Sequence, residues 1–219
     1  MPQSALETRP AEEPAVAAPR LNRRQAAKVR TRQKVMAAAR ALFAERGYEP
    51  ATIRDIAKGA GMSTGAVFAN FQDKAELFDA VLAEDLERVS AALTEALTRP
   101  GDTAARLEAG LSAAYHASYD QLPLVQAVVA RAWFQPAAAE KRSREALAPL
   151  TGAVAAVIAD GVSRGELQKG ADVALLASLI WEGFVANYRR AAYDGWDAAR
   201  MSAHLGLQIR AILAGALAR

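Results

Sequence analysis

Side chains able to carry covalent or metal chemistry are scarce in this sequence. It holds no cysteine, which excludes disulfides, thiolate nucleophiles and Cys-based zinc sites. Its two histidines, His116 and His204, leave little for a metal site or histidine catalysis. There is no HExxH, no glycine-rich phosphate loop after a strand and no paired-carboxylate motif, so neither an enzyme nor a cofactor is expected. What the chain does concentrate is positive charge. Residues 20–78 carry twelve Lys/Arg against five Asp/Glu, while the whole chain nets only +3. Eight basic residues lie between Arg20 and Arg40, and the first acid after them is Glu45. A solvated helix face is the plain explanation of such a run. A basic block beside a compact helical unit points instead to a polyanion, most simply nucleic acid.

The elements that must hold these charges are helices. The chain has 219 residues and is 52% hydrophobic, with only 6% aromatics, and about a quarter of it is alanine. No β-branched alternation suggests a sheet, so the expectation is an all-α fold of about nine helices. No apolar run reaches a membrane span and no apolar signal-peptide core opens the sequence, which predicts a soluble cytoplasmic protein without a membrane partner. Residues 1–19 hold four of the nine prolines and predict a disordered tail. A long helix follows over about Arg23 to Arg46, with Val35, Ala38, Ala39, Leu42 and Phe43 as its buried stripe and Gly47 as its stop. Thr52 caps a short helix to about Ala60, with Asp55 in a capping-box relation. Ser63 or Thr64 caps a second, about Gly65 to Asn70. Asp73, with Glu76 three residues on, caps a fourth helix that runs to about Arg99. Five more are predicted near 102–119, 123–134, 137–163, 171–193 and 197–217, with Pro149 able to kink or split the third of them.

Two short helices joined at Gly61 and braced by a longer one make a helix-turn-helix unit. In Ile56-Ala57-x-x-Ala60-Gly61-Met62-Ser63 the alanines allow close approach, Gly61 takes the turn and Met62 fills the wedge. The second helix can then lie in a major groove. The stretch from Ala51 through Gly61-Met62-Ser63-Thr64-Gly65-Ala66-Val67-Phe68 to Leu77, with Ala38 to Tyr48 before it, resembles the DNA-binding signature of the tetracycline-repressor (TetR) family. That resemblance covers about residues 30–80; beyond it the match is one of helix number, lengths and the Ser163 to Leu167 turn. It implies a dimeric, ligand-responsive repressor with a three-helix DNA-binding domain over 20–78 and a ligand-binding and dimerisation bundle over 79–219. It further implies that Thr52 touches phosphate, that Arg54 reads a guanine, that Thr64, Gly65, Ala66 and Ala69 face base edges, and that Lys74 grips phosphate. Ser63, Phe68 and Asn70 complete the DNA-facing set. Phe68 stands where the family usually has Tyr, and Asn70 where His or Tyr is common, so readout falls to Arg54, to thymine-methyl contacts by Ala66 and Ala69, and to the basic arm. Each has a plainer alternative: Arg54 as a paired surface arginine, Lys74 as a first-turn lysine, Phe68 as core, Arg20 to Arg32 as a solvated extension.

In the second half Tyr115, Tyr119, Trp133, Phe134, Trp181, Phe184 and Tyr188 are either ordinary core or the wall of an apolar pocket. His116 is the polar candidate beside them. The pocket would take a small apolar or aromatic effector. The last two helices are apolar on two sides. One side, with Leu176, Ile180, Met201, Leu205, Ile209 and Ile212, is assigned to a homodimer; the other carries Leu175, Leu179, Leu207 and Leu213. The alternative function is a dimeric DNA-binding regulator with no small-molecule ligand, governed by a protein partner or acting architecturally.

Overall fold

The computed structural model describes residues 22–132 and 134–218; the tail 1–19 and Trp133 lie outside the described residues. Within them the chain runs α1 (Arg23–Arg46), α2 (Ile53–Gly59), α3 (Thr64–Phe68), α4 (Lys74–Leu97), α5 (Thr103–Ser118), α6 (Leu122–Ala132), α7 (Ala137–Ser163), α8 (Val173–Asp194) and α9 (Ala198–Ala214), with one 3-10 turn at Tyr119–Gln121. The fold is all-α, as the composition requires.

Local chemistry accounts for where the helices begin. Asn22, Thr52, Ser63, Asp73, Asp102, Asp172 and Asp197 each accept the backbone N–H three residues on. Each such cap contributes about 1 kcal/mol. The wiring at two of them differs from a reciprocal box. The Thr52 hydroxyl gives its proton to the Asp55 carboxylate at 2.7 Å, and the Glu76 carboxylate turns back to the N–H of Gln72 rather than of Asp73. Asn22 and Gln25 do form the full box, at the start of α1.

Two cores organise the helices. The first joins Val35, Phe43, Ile56, Val67, Phe71 and Phe78 from α1 to α4 and the turn after α3. The second lies among α4, α5, α7, α8 and α9, around Leu107, Tyr115, Ile158, Ile180 and Ile209. Helix α4 serves both, burying Leu77 and Val81 in one and Leu93 and Leu97 in the other. Helix α6 does the same: Leu124 lies in the first core while Leu122 and Val125 pack on the second. The first core therefore draws on residues beyond 78. At Gly110 a Cβ would come within 2.4 Å of Leu97 Cδ2, so glycine sets how closely α4 and α5 pack.

Pro149 does not split α7, which is continuous over 27 residues. Its buried stripe, Leu150, Val154, Val157 and Ile158, begins just after the proline. One expectation needs correcting here. By length and composition alone α7 is apolar enough to cross a membrane. The bundle nonetheless takes Val154, Val157 and Ile158 into its core.

Candidate nucleic-acid interface

Helices α2 and α3 are joined by Ala60 to Ser63. Gly61, at φ +67°, supplies a left-handed backbone that a Cβ would oppose. The Met62 N–H returns to the Ala57 carbonyl at 2.9 Å and closes the turn. Ile56, Ala57, Val67 and Phe71 face inward. The outward face of α3 is then Thr64, Gly65, Phe68 and, just past its end, Ala69, all exposed, with Ala66 half-buried beside them. Phe68 is 55% exposed, which settles against a core role. Val67 and Phe71 already occupy the inward positions, and helical rotation turns Phe68 away from them.

Arg54 projects from α2, exposed, with no hydrogen bond, ion pair or ring contact among the described residues. It is not a paired surface arginine. Thr52 and Ser63 are exposed, and their hydroxyls are engaged in the caps. The structure gives the other two sequence-predicted contacts inward partners. The Lys74 ammonium donates to the carbonyls of Tyr48 (3.0 Å) and Glu49 (3.2 Å) and sits 4.2 Å from the centre of the Tyr48 ring. A cation in the first turn of α4 is thus answered by the turn after α1, without a phosphate. Asn70 donates its amide to the Ala66 carbonyl at 2.9 Å and is half-buried. Its backbone carbonyl accepts the Arg32 guanidinium at 3.0 Å. Sequence reasoning missed the Tyr48–Lys74 and Arg32–Asn70 pairs, which join residues 26 and 38 positions apart.

The profile described as bacterial regulatory proteins, tetR family, matches residues 35–81, the segment that builds this unit. Over that segment the chain is similar to the tetR family. The repressor AcnR of Corynebacterium efficiens is 43% identical over 67 residues, 31% of this chain and 36% of AcnR, so the match spans about a third of that relative's length. A transcriptional regulator from Rhodococcus sp. Rha1 superposes with a TM-score of 0.70 at 28% identity, over 84% of this chain and 97% of that one. The Bacillus subtilis regulator FadR, solved in complex with stearoyl-CoA, superposes with a TM-score of 0.73 at 17% identity, over 84% and 98%. These relatives are regulators rather than enzymes.

The helical bundle that follows brings some of the predicted effector residues together and scatters others. Tyr115 stacks on Phe184 at 4.4 Å, and Tyr188 meets both edge-on at 5.2 and 5.5 Å. Trp181 lies half-buried at 5.2 Å from Phe184. The Tyr115 hydroxyl donates to the Phe184 carbonyl (2.8 Å) and accepts from Asn187, while Tyr188 shares a hydrogen bond with Ser118. Burial pushes the Tyr115 hydroxyl far above its usual range and Tyr188 up to about 12, so both stay protonated. Tyr119 turns aside to the Trp196 carbonyl. His116 is exposed and Phe134 is 91% exposed, so neither joins the cluster. A recess of about 520 Å3 opens elsewhere, on the outer side of α8 and α9 between Asn187, Arg190, Tyr193 and Gln208.

The residues assigned to a dimer need correction. Leu176, Ile180, Met201, Leu205 and Ile209 are buried in the chain's own second core, and Ile212 packs against it. Leu213, taken for the other side, is buried too. The apolar residues left outside are Leu175, Leu179 and Leu207, at 53%, 42% and 64% exposure. Both faces of these helices are apolar, so periodicity alone did not say which one the bundle takes.

Proposed function

We propose that the chain is a transcriptional repressor that binds operator DNA as a homodimer through α2 and α3 and is released by a small apolar or aromatic effector. Residues 20–78 form the DNA-binding unit and 79–219 the effector and dimer unit of a cytoplasmic protein. The observation that carries this is the outward face of the helix-turn-helix. Arg54, without a partner among the described residues, is exposed on α2, and α3 exposes Gly65, Phe68 and Ala69 with Ala66 half-buried. A guanidinium suits the O6 and N7 acceptors of guanine, and small apolar groups suit the thymine methyl. Thr52, at the exposed start of α2, supplies a phosphate contact. Lys74 acts behind the interface, holding the turn after α1. The relative AcnR, a repressor, supports repression as the direction of control.

A second copy would cover Leu175, Leu179 and Leu207, giving an isologous interface that pairs the two recognition helices. The stearoyl-CoA complex of FadR supports an effector with a substantial apolar part for this fold. Here its walls would be Tyr115, Trp181, Phe184 and Tyr188, which must part to admit it. Release requires the effector to prefer the non-binding shape by about 10²–10⁴-fold, since equal affinity for both shapes shifts nothing. The close packing of these rings and their satisfied hydroxyls favour a second reading, in which no small molecule enters and a protein partner governs release.

The test recovers bound duplexes from a random pool and then screens apolar compounds for release. Enrichment of a two-fold sequence, and release that Trp181→Ala abolishes without loss of operator affinity, is the expected result. No enriched sequence would overturn the DNA reading. Enrichment without any releasing compound would favour the partner-controlled one.

A further inference from the structure

We infer that the first three turns of α1 are a second DNA contact, a basic helical spur that grips the phosphate backbone flanking the base pairs read by α2 and α3. This rests on the DNA reading proposed above. Helix α1 does not enter the core until Val35. The preceding residues, Arg23 to Lys34, span about 18 Å at 1.5 Å per residue. They include Arg23, Arg24, Lys28, Arg30 and Lys34, all exposed and none in an ion pair among the described residues. As a free-standing element this segment works against itself. Arg24 and Lys28, and Arg30 and Lys34, are like charges one turn apart. The first turn holds two cations and no acid, against the helix dipole. Almost no packing offsets these costs, yet the Asn22–Gln25 box specifies a helix start here. A row of phosphates removes both penalties.

Arg32 sets the position of the spur. Its guanidinium donates to the Asn70 carbonyl and lies 4.1 Å from the centre of the Phe71 ring, which pins α1 to the chain just past the end of α3. The remaining nine residues lead away from that point. The spur has no apolar stripe, Val29 being its one large apolar side chain among the described residues, so a membrane surface is the poorer match.

The experiment titrates the full chain, by fluorescence anisotropy, against the selected duplex in two lengths. One ends at the recognised site; the other adds about five base pairs on each side, the length an 18 Å spur covers at 3.4 Å per pair. The variant R23Q/R24Q/K28Q changes only exposed residues outside the core, and a thermal melt checks its fold. The wild type should bind the longer duplex more tightly. The variant should lose that gain, show a log–log salt slope shallower by about 2–3 per protomer, and keep the same preference among single-pair site variants. Equal slopes and equal flank dependence for the two proteins would overturn the proposal. So would a loss of binding to anionic lipid vesicles in the variant with its DNA slope unmoved. Failure of the wild type to bind any duplex would instead overturn the reading of α2 and α3, and the spur with it.

Discussion

The outward face of the helix-turn-helix and the outward faces of α8 and α9 both expose apolar side chains, yet the first is the easier to orient from sequence. In α2 and α3 the inward positions, Ile56, Val67 and Phe71, are large, and the outward ones, Gly65, Ala66 and Ala69, are small, with Phe68 the exception. A size contrast at helical spacing tells the core where to form. In α8 and α9, Leu176 and Leu205 are buried while their neighbours Leu175 and Leu207 are exposed, and residue type does not distinguish them. An apolar outer face can be recognised from its composition; which of two apolar faces is outer depends on the neighbours, α5 and α7, that claim one of them.

The sharpest way to break this contrast is to charge the two faces in turn. Leu205→Asp should unfold the chain, because an unpaired carboxylate in the second core costs several kcal/mol, about 3 or more. Leu207→Asp should leave a helical, cooperatively melting protein that sediments as a monomer, where the wild type should sediment as a dimer. If Leu207→Asp unfolds and Leu205→Asp does not, the assignment of faces is reversed. The aromatic rings give the next largest difference. Phe184→Ala should lower unfolding stability by about 3–5 kcal/mol through the cavity it leaves, and Phe68→Ala by no more than about 0.5 kcal/mol. Denaturant midpoints separate the two.

Within the DNA-binding unit, Arg54 and Lys74 sharpen the comparison further. Arg54→Ala should leave the melting temperature unchanged and lose about 1–3 kcal/mol of discrimination at one base pair per half-site. Lys74→Met should do the opposite. It removes two hydrogen bonds from a charged donor in a half-exposed site, so stability should fall by about 1 kcal/mol, while the salt slope of DNA binding stays that of the wild type. A shallower slope for Lys74→Met would return Lys74 to the phosphate contacts.

Much of the fold could be read directly. Helix starts follow from single capping residues such as Asp73 and Asp102, and stops from glycines such as Gly47, because these act over three or four residues of chain. The contents of the candidate site could be read for the same reason: Arg54 and the α3 face belong to one contiguous segment. Long-range partners could not. Nothing in the neighbourhood of Lys74 announces the carbonyls of Tyr48 and Glu49, and nothing near Arg32 announces Asn70. The aromatic group divided for a similar reason. Tyr115, Phe184 and Tyr188 share the α5–α8 contact, Trp181 lies at its rim, and Phe134 sits exposed on the α6–α7 corner.

Recognition of an operator by this chain requires that α2 and α3 be the surface that meets DNA. Hydrogen–deuterium exchange of the full chain, with and without the selected duplex, tests this most directly. Slowed exchange concentrated in the segment from Thr52 to Asn70, with the amides of α8 and α9 unchanged, is the predicted result. Protection confined to the bundle, or none at a duplex concentration that saturates binding, would contradict it.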